Sequence, residues 1–109
     1  MSEFTVGLIS DVPKGEGRNF LIDGVRVAIF HTQDGEVFAT QPECPHRRGP
    51  LADGLTDGAT VICPLHDRVF DLRSGQELGA DCSLRTYRVH VDFSGRILLT
   101  LAAEMADPV

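Results

Sequence analysis

The chain has 109 residues, enough for one hydrophobic core and too few for a second independent one. Ten basic against sixteen acidic side chains give a formal charge of -6, which argues against nucleic acid, because phosphate binding needs clustered Lys and Arg. Apolar residues make up 42% of the sequence, yet no run approaches the roughly 18 to 20 residues of a membrane span, so the expectation is a single soluble domain over 1–109. Met1-Ser2-Glu3-Phe4 lacks the basic stretch and apolar core of a secretory signal, and the expected compartment is the cytoplasm.

Short runs of β-branched and aromatic residues broken by Gly-containing turns predict an all-β, antiparallel sandwich or barrel without a long helix. Phe4 to Ser10 reads as the first strand. Arg18 to Ile22 and Val25 to His31 flank Asp23-Gly24, a dipeptide suited to a tight hairpin turn with positive φ. After a second turn at Asp34-Gly35, Glu36 to Thr40 leads into a loop at 41–52, where prolines and Gly49 oppose regular pairing. Thr60 to Ile62 and Val69 to Leu72 are extended runs on either side of a second loop at 63–68, and Arg73-Ser74-Gly75-Gln76 forms a turn. Leu84 to Phe93 is the longest strand candidate, with Arg85, Tyr87, Val89, Val91 and Phe93 sharing one side by period two. Ser94-Gly95 then turns into Ile97 to Leu101, followed by a loosely held tail at 102–109.

The chemistry is concentrated in the two loops. Cys44-Pro45-His46 is followed, after sixteen residues, by Cys63-Pro64-Leu65-His66, with one Cys and one His in each pair. Such a set can place both thiolates on one iron and both imidazoles on the other iron of a binuclear centre. Two Cys and two His also satisfy tetrahedral zinc by ligand type, so a structural zinc module is the inorganic alternative. Zinc fingers, however, group Cys with Cys and His with His, whereas each pair here mixes them. The third cysteine, Cys82, has no His at ligand spacing and reads as a small residue at least partly inside. His31 and His90 lie inside strand patterns and read as ordinary strand residues.

C-P-H-R-R-G-P-L (44 to 51) and C-P-L-H-D-R-V-F-D-L (63 to 72) resemble the Rieske iron-sulfur family in ligand type, order and spacing. The resemblance implies a Rieske-type 2Fe-2S cluster held by Cys44, His46, Cys63 and His66. Two ferric ions, two sulfides and two thiolates would then sum to zero charge. This is why His ligation lifts reduction potentials to about -150 to +300 mV, against about -400 mV for plant-type all-Cys clusters. High-potential members carry an extra Cys in each loop plus a Ser and a Tyr whose hydroxyls reach the cluster. At the corresponding positions this chain has Gly49, Leu65, Arg68 and Phe70, which implies a low-potential, ferredoxin-type member.

The remaining loop residues have quieter roles available. Pro45 and Pro64 suit fixed turns, Gly49 and Gly54 suit positive-φ positions, and Arg47 and Arg48 suit solvated surface or, beside His46, steering of an acidic partner rim. No Gly-rich dinucleotide motif, nucleophile elbow or second metal site accompanies the pairs, so the expected role is one-electron transfer without a catalytic site of its own. The stretches 27 to 39, 69 to 78 and 82 to 91 resemble small subunits of assimilatory NAD(P)H nitrite reductase, which implies a nitrite reductase large subunit as partner. The alternative is a Rieske ferredoxin that feeds a ring-hydroxylating oxygenase from a flavin reductase. Leu78 to Ser83 lacks the Pro that such ferredoxins usually carry there.

Overall fold

The computed structural model describes residues 2–44, 50–64, 68–79 and 82–101; the tail at 102–109 lies outside them. Among the described residues nine strands form: β1 (Ser2–Leu8), β2 (Glu16–Ile22), β3 (Val25–His31), β4 (Val37–Thr40), β5 (Leu55–Asp57), β6 (Thr60–Ile62), β7 (Val69–Asp71), β8 (Thr86–Val91) and β9 (Arg96–Leu101). Six of them make one antiparallel sheet in the order β1-β9-β8-β4-β3-β2, and β5-β6-β7 make a second. Two short 3-10 turns, Ile9–Asp11 and Leu51–Asp53, are the helical content among the described residues, where no helix is long and apolar enough to cross a membrane. The fold is all-β, as the turn-broken apolar runs predict.

β3 explains how the two sheets stack. A strand with one wet face alternates apolar and polar, but β3 reads V-R-V-A-I-F, a nearly unbroken apolar run that suits burial on both faces. Val25, Val27 and Ile29 point into a first core with Ala39, Tyr87, Ile97, Leu99 and Leu101, around which the large sheet curls. Ala28 and Phe30 point the other way, into a second core with Leu51, Val61, Phe70, Leu72, Leu84 and the cysteines 44 and 63. Gly17 faces Phe30 across the β2–β3 ladder, and a Cβ there would stand 2.8 Å from the ring and 3.1 Å from the Ala52 backbone. That bare position lets the turn Leu51–Asp53 close over the strands.

Local chemistry fixes the hairpins. Ile22 pairs Val25 across Asp23-Gly24, and both turn residues have positive φ, 50° and 78°, as a two-residue turn of the mirror-image type requires. The β8–β9 turn depends on Asp92 instead. Its Oδ1 accepts from the Ser94 and Arg96 backbone N–H groups and the Ser94 hydroxyl, while Arg96 Nε donates to Oδ2 at 2.9 Å. This cap ends the strand at Val91. Phe93, expected on the core side, therefore sits in the turn and is fully exposed. Arg85 likewise precedes the strand and is exposed, with its backbone N–H bonded to Gln41. The strand β5 is absent from the sequence expectation, although Asp57-Gly58, with Gly58 at φ 61°, is the hairpin signal that would have disclosed it.

The backbone N–H of Arg96, foremost among these donors, holds the Asp92 carboxyl down from its usual 3.8 to about 2. Because the folded state favours the ionised form, this stabilisation is fully present above the unfolded value and is lost as pH falls through about 2. Asp92→Asn is expected to lower the urea midpoint near neutrality, and the gap from wild type should close as pH drops from 3.8 towards 2. A gap that stays constant across that range would contradict the assignment.

Candidate metal centre

Each ligand loop is pinched at its neck by antiparallel pairing. The first runs from β4 to β5 and is closed by a bridge between Glu43 and Pro50, with Leu51 N–H donating to the Pro42 carbonyl at 3.1 Å. The second caps the β6–β7 hairpin, where Ile62 pairs Val69 and Cys63 N–H donates to the Arg68 carbonyl at 2.7 Å. Cys44 and Cys63 thus stand at the two necks. Gln41 anchors the first: its Nε2 donates to the Glu43 carbonyl and its Oε1 accepts from Arg85 N–H, both at 2.7 Å. Gly54, expected at positive φ, has φ -77° and serves close approach instead, since any Cβ would strike the Ile62 carbonyl oxygen.

The structure brings both sequence-predicted sulfur ligands together. Cys44 is 1% and Cys63 0% exposed, they share the second core, and no disulfide joins the cysteines. Thiolates in apolar surroundings are costly without a cation, so two in one dry cluster suit a shared ferric ion. His46 and His66 lie outside the described residues, as do Pro45, Arg47, Arg48, Gly49, Leu65 and Asp67. His31 and His90 sit in β3 and β8, and His31 Nδ1 lies 2.7 Å from the Val12 carbonyl oxygen.

Around the cysteines the inner face of the small sheet carries one charged pair that sequence reasoning missed. Phe70 and Glu77 are paired, Glu77 N–H donates to the Cys82 carbonyl, and Arg68 Nη1 reaches Glu77 Oε2 at 2.7 Å. Glu77 is only 5% exposed. The hydrogen bond to Glu77 raises the Arg68 pKa above the usual value, and partial burial opposes this. Cys82 is half-buried against the second core, as expected. On the outer face, Leu55, Ile62 and Val69 form a cross-strand row that Leu78 extends by donating its N–H to the Val69 carbonyl. Leu55 and Leu78 are 73% and 55% exposed.

Residues 2–88 match the family model of the Rieske [2Fe-2S] domain. The chain belongs to the Rieske [2Fe-2S] family. It is 38% identical over 109 residues to the 3-phenylpropionate/cinnamic acid dioxygenase ferredoxin subunit of Photorhabdus laumondii, covering 95% of this chain and 99% of that one. Among solved structures it is similar to a candidate NADH-dependent nitrite reductase small subunit from Mycobacterium tuberculosis, with a TM-score of 0.84 and 27% identity over 94% of this chain and 96% of that one. It is also similar to the ferredoxin of carbazole 1,9a-dioxygenase from Nocardioides aromaticivorans, with a TM-score of 0.78 and 28% identity over 91% and 97%.

This Rieske chain is an electron-transfer ferredoxin that carries a Rieske-type 2Fe-2S cluster. When bound, the cluster supplies one-electron chemistry. The second core keeps water from both cysteine sulfurs, and the paired necks fix where the two cysteines stand. Cys44→Ser or His66→Ala is expected to abolish the visible absorption and the rhombic paramagnetic resonance signal of the reduced protein. Cys82→Ser should keep both, and loss of the cluster in that variant would contradict its exclusion from the ligands.

Proposed function

We propose that this chain delivers single electrons from a flavin reductase to the terminal component of an aromatic-ring-hydroxylating oxygenase, as one cytoplasmic domain over 1–109. The observation that carries this reading is the 38% identity, over nearly the whole of both chains, to a dioxygenase ferredoxin subunit. Cys44, His46, Cys63 and His66 hold the cluster in this reading, with both imidazoles on one iron and both sulfurs on the other. All four protein positions are then filled, no iron site is open to substrate, and outer-sphere transfer to a larger redox partner is the role that remains. The row Leu55, Ile62, Val69 and Leu78 supports contact at this end, because it offers an apolar surface beside the second neck with Asp57 and Asp71 further along the same face.

The nitrite reductase reading keeps a specific support of its own. The stretches 27 to 39, 69 to 78 and 82 to 91 resemble those small subunits, and the backbone superposes on one with a TM-score of 0.84. Mixing the purified ferredoxin with a flavin reductase and oxygenase, and separately with a nitrite reductase large subunit, distinguishes the two. NADH-dependent hydroxylation that requires the ferredoxin is the expected result; stimulation of nitrite loss alone would overturn the preferred partner.

The cluster is of low potential in this reading. Phe70 is wholly buried and offers no hydroxyl to the cluster, and Arg68 stands where the resemblance would place a Ser. Phe70→Tyr is expected to raise the midpoint potential in voltammetry. The added atom in a packed core should also cost about 1–3 kcal/mol of stability. An unchanged potential in a fully loaded variant would count against the placement.

A further inference from the structure

The small sheet places an arginine across the strand pair from one of the cysteines. Ile62 and Val69 are paired, and the bond from Cys63 N–H to the Arg68 carbonyl continues the ladder by one step, so Cys63 and Arg68 are direct cross-strand neighbours. Cβ atoms in such a pair lie about 4.5–5.5 Å apart on the same face of the sheet. That face is the inner one, because Val61 and Phe70, two pairs along and so on the same side, are buried there. Glu77 pairs Phe70 and is therefore the diagonal neighbour of Arg68, within reach of a long side chain, and the two meet at 2.7 Å. A buried carboxylate needs a partner in a medium of low dielectric, and here it has one.

We propose that Arg68 and Glu77 are a charge-compensated control on the reduction potential: Arg68 holds a positive charge beside the Cys63 ligand and Glu77 offsets it. The inference rests on ligation by Cys63. Reduction adds one negative charge at the centre, so a nearby cation favours the reduced state and a nearby anion the oxidised state. Cys63 and Glu77 are buried, where such interactions are screened less than in water, while the Arg68 side chain reaches Glu77 from a partly exposed position. A guanidinium stays protonated throughout the accessible pH range, so the contribution of Arg68 is independent of pH.

Protein-film voltammetry of a four-member set tests the proposal, with iron content and the rhombic resonance signal confirming a loaded centre in each. Arg68→Gln should lower the potential, by about tenfold in the one-electron equilibrium, or about 59 mV. Glu77→Gln should raise it, and the double variant should return towards wild type. Arg68→Lys, which keeps the charge but not the forked hydrogen bonding, should stay closer to wild type than Arg68→Gln. Single variants that shift in the same direction, or Lys behaving like Gln, would overturn the proposal in favour of a purely structural pair. If Arg68→Gln fails to load, Glu77→Gln and Arg68→Lys still decide it. Retention of the cluster by Cys63→Ser would instead refute the ligation on which the inference depends, and the two failures are thereby separated.

Discussion

Burial of β3 on both faces is the constraint from which the site follows. One face closes the curled six-stranded sheet through Val25, Val27 and Ile29; the other presents Ala28 and Phe30 as the floor for the small sheet. Full burial of a Phe is worth on the order of 1.5–3 kcal/mol relative to exposure, so Phe30 and Phe70 together make a substantial contribution to docking β5-β6-β7. Docking brings the two necks to one end of the molecule. Cys44 arrives from the large sheet and Cys63 from the small one, so the two cysteines meet only when the second core is packed. Metal binding and that packing therefore reinforce each other.

The same dry floor sets the electrostatic character of the site. Apolar neighbours stabilise thiolates poorly, which leaves the bound metal as the dominant compensating charge. Charges fixed within one or two residues of the sulfurs then have more leverage on the redox equilibrium than the many surface carboxylates that give the chain its charge of -6. A neutral but oriented pair such as Arg68 and Glu77 can act on the centre without adding to that net charge. It also gives the buried Glu77 carboxylate a cationic partner at Oε2.

Much of this was legible in the sequence, for identifiable reasons. The ligand pairs announce themselves because metal chemistry demands particular residue types at fixed spacing, and β3 is recognisable as a strand from its β-branched run, although its burial on both faces is absent from the sequence expectation. Asp23-Gly24 is equally explicit, since few other dipeptides tolerate positive φ twice. What escaped depends on partners distant in sequence. Period two places Phe93 with Tyr87, but period cannot see that Asp92 gathers four hydrogen bonds and stops the strand. Glu77 looks like a solvated residue between Gln76 and Leu78 until the bridge to Phe70 turns it inward. Gly54 is read as a turn former because its crowding comes from a carbonyl eight positions away.

The choice of partner turns on which kind of similarity can discriminate. Backbone superposition measures the packing of two sheets on β3, and any chain that must hold two loops at such necks is driven to the same arrangement. TM-scores of 0.84 to a nitrite reductase small subunit candidate and 0.78 to a dioxygenase ferredoxin therefore separate the partners poorly. Side chains answer to a different pressure. A docking surface must match its partner residue by residue, so identity retained across a whole chain carries information that the backbone does not. On that measure 38% against a dioxygenase ferredoxin outweighs 27% against the nitrite reductase candidate. The absence of Pro between Leu78 and Ser83 weighs less, because Glu77 and Cys82 are joined by a backbone hydrogen bond that gives this segment its own means of closure.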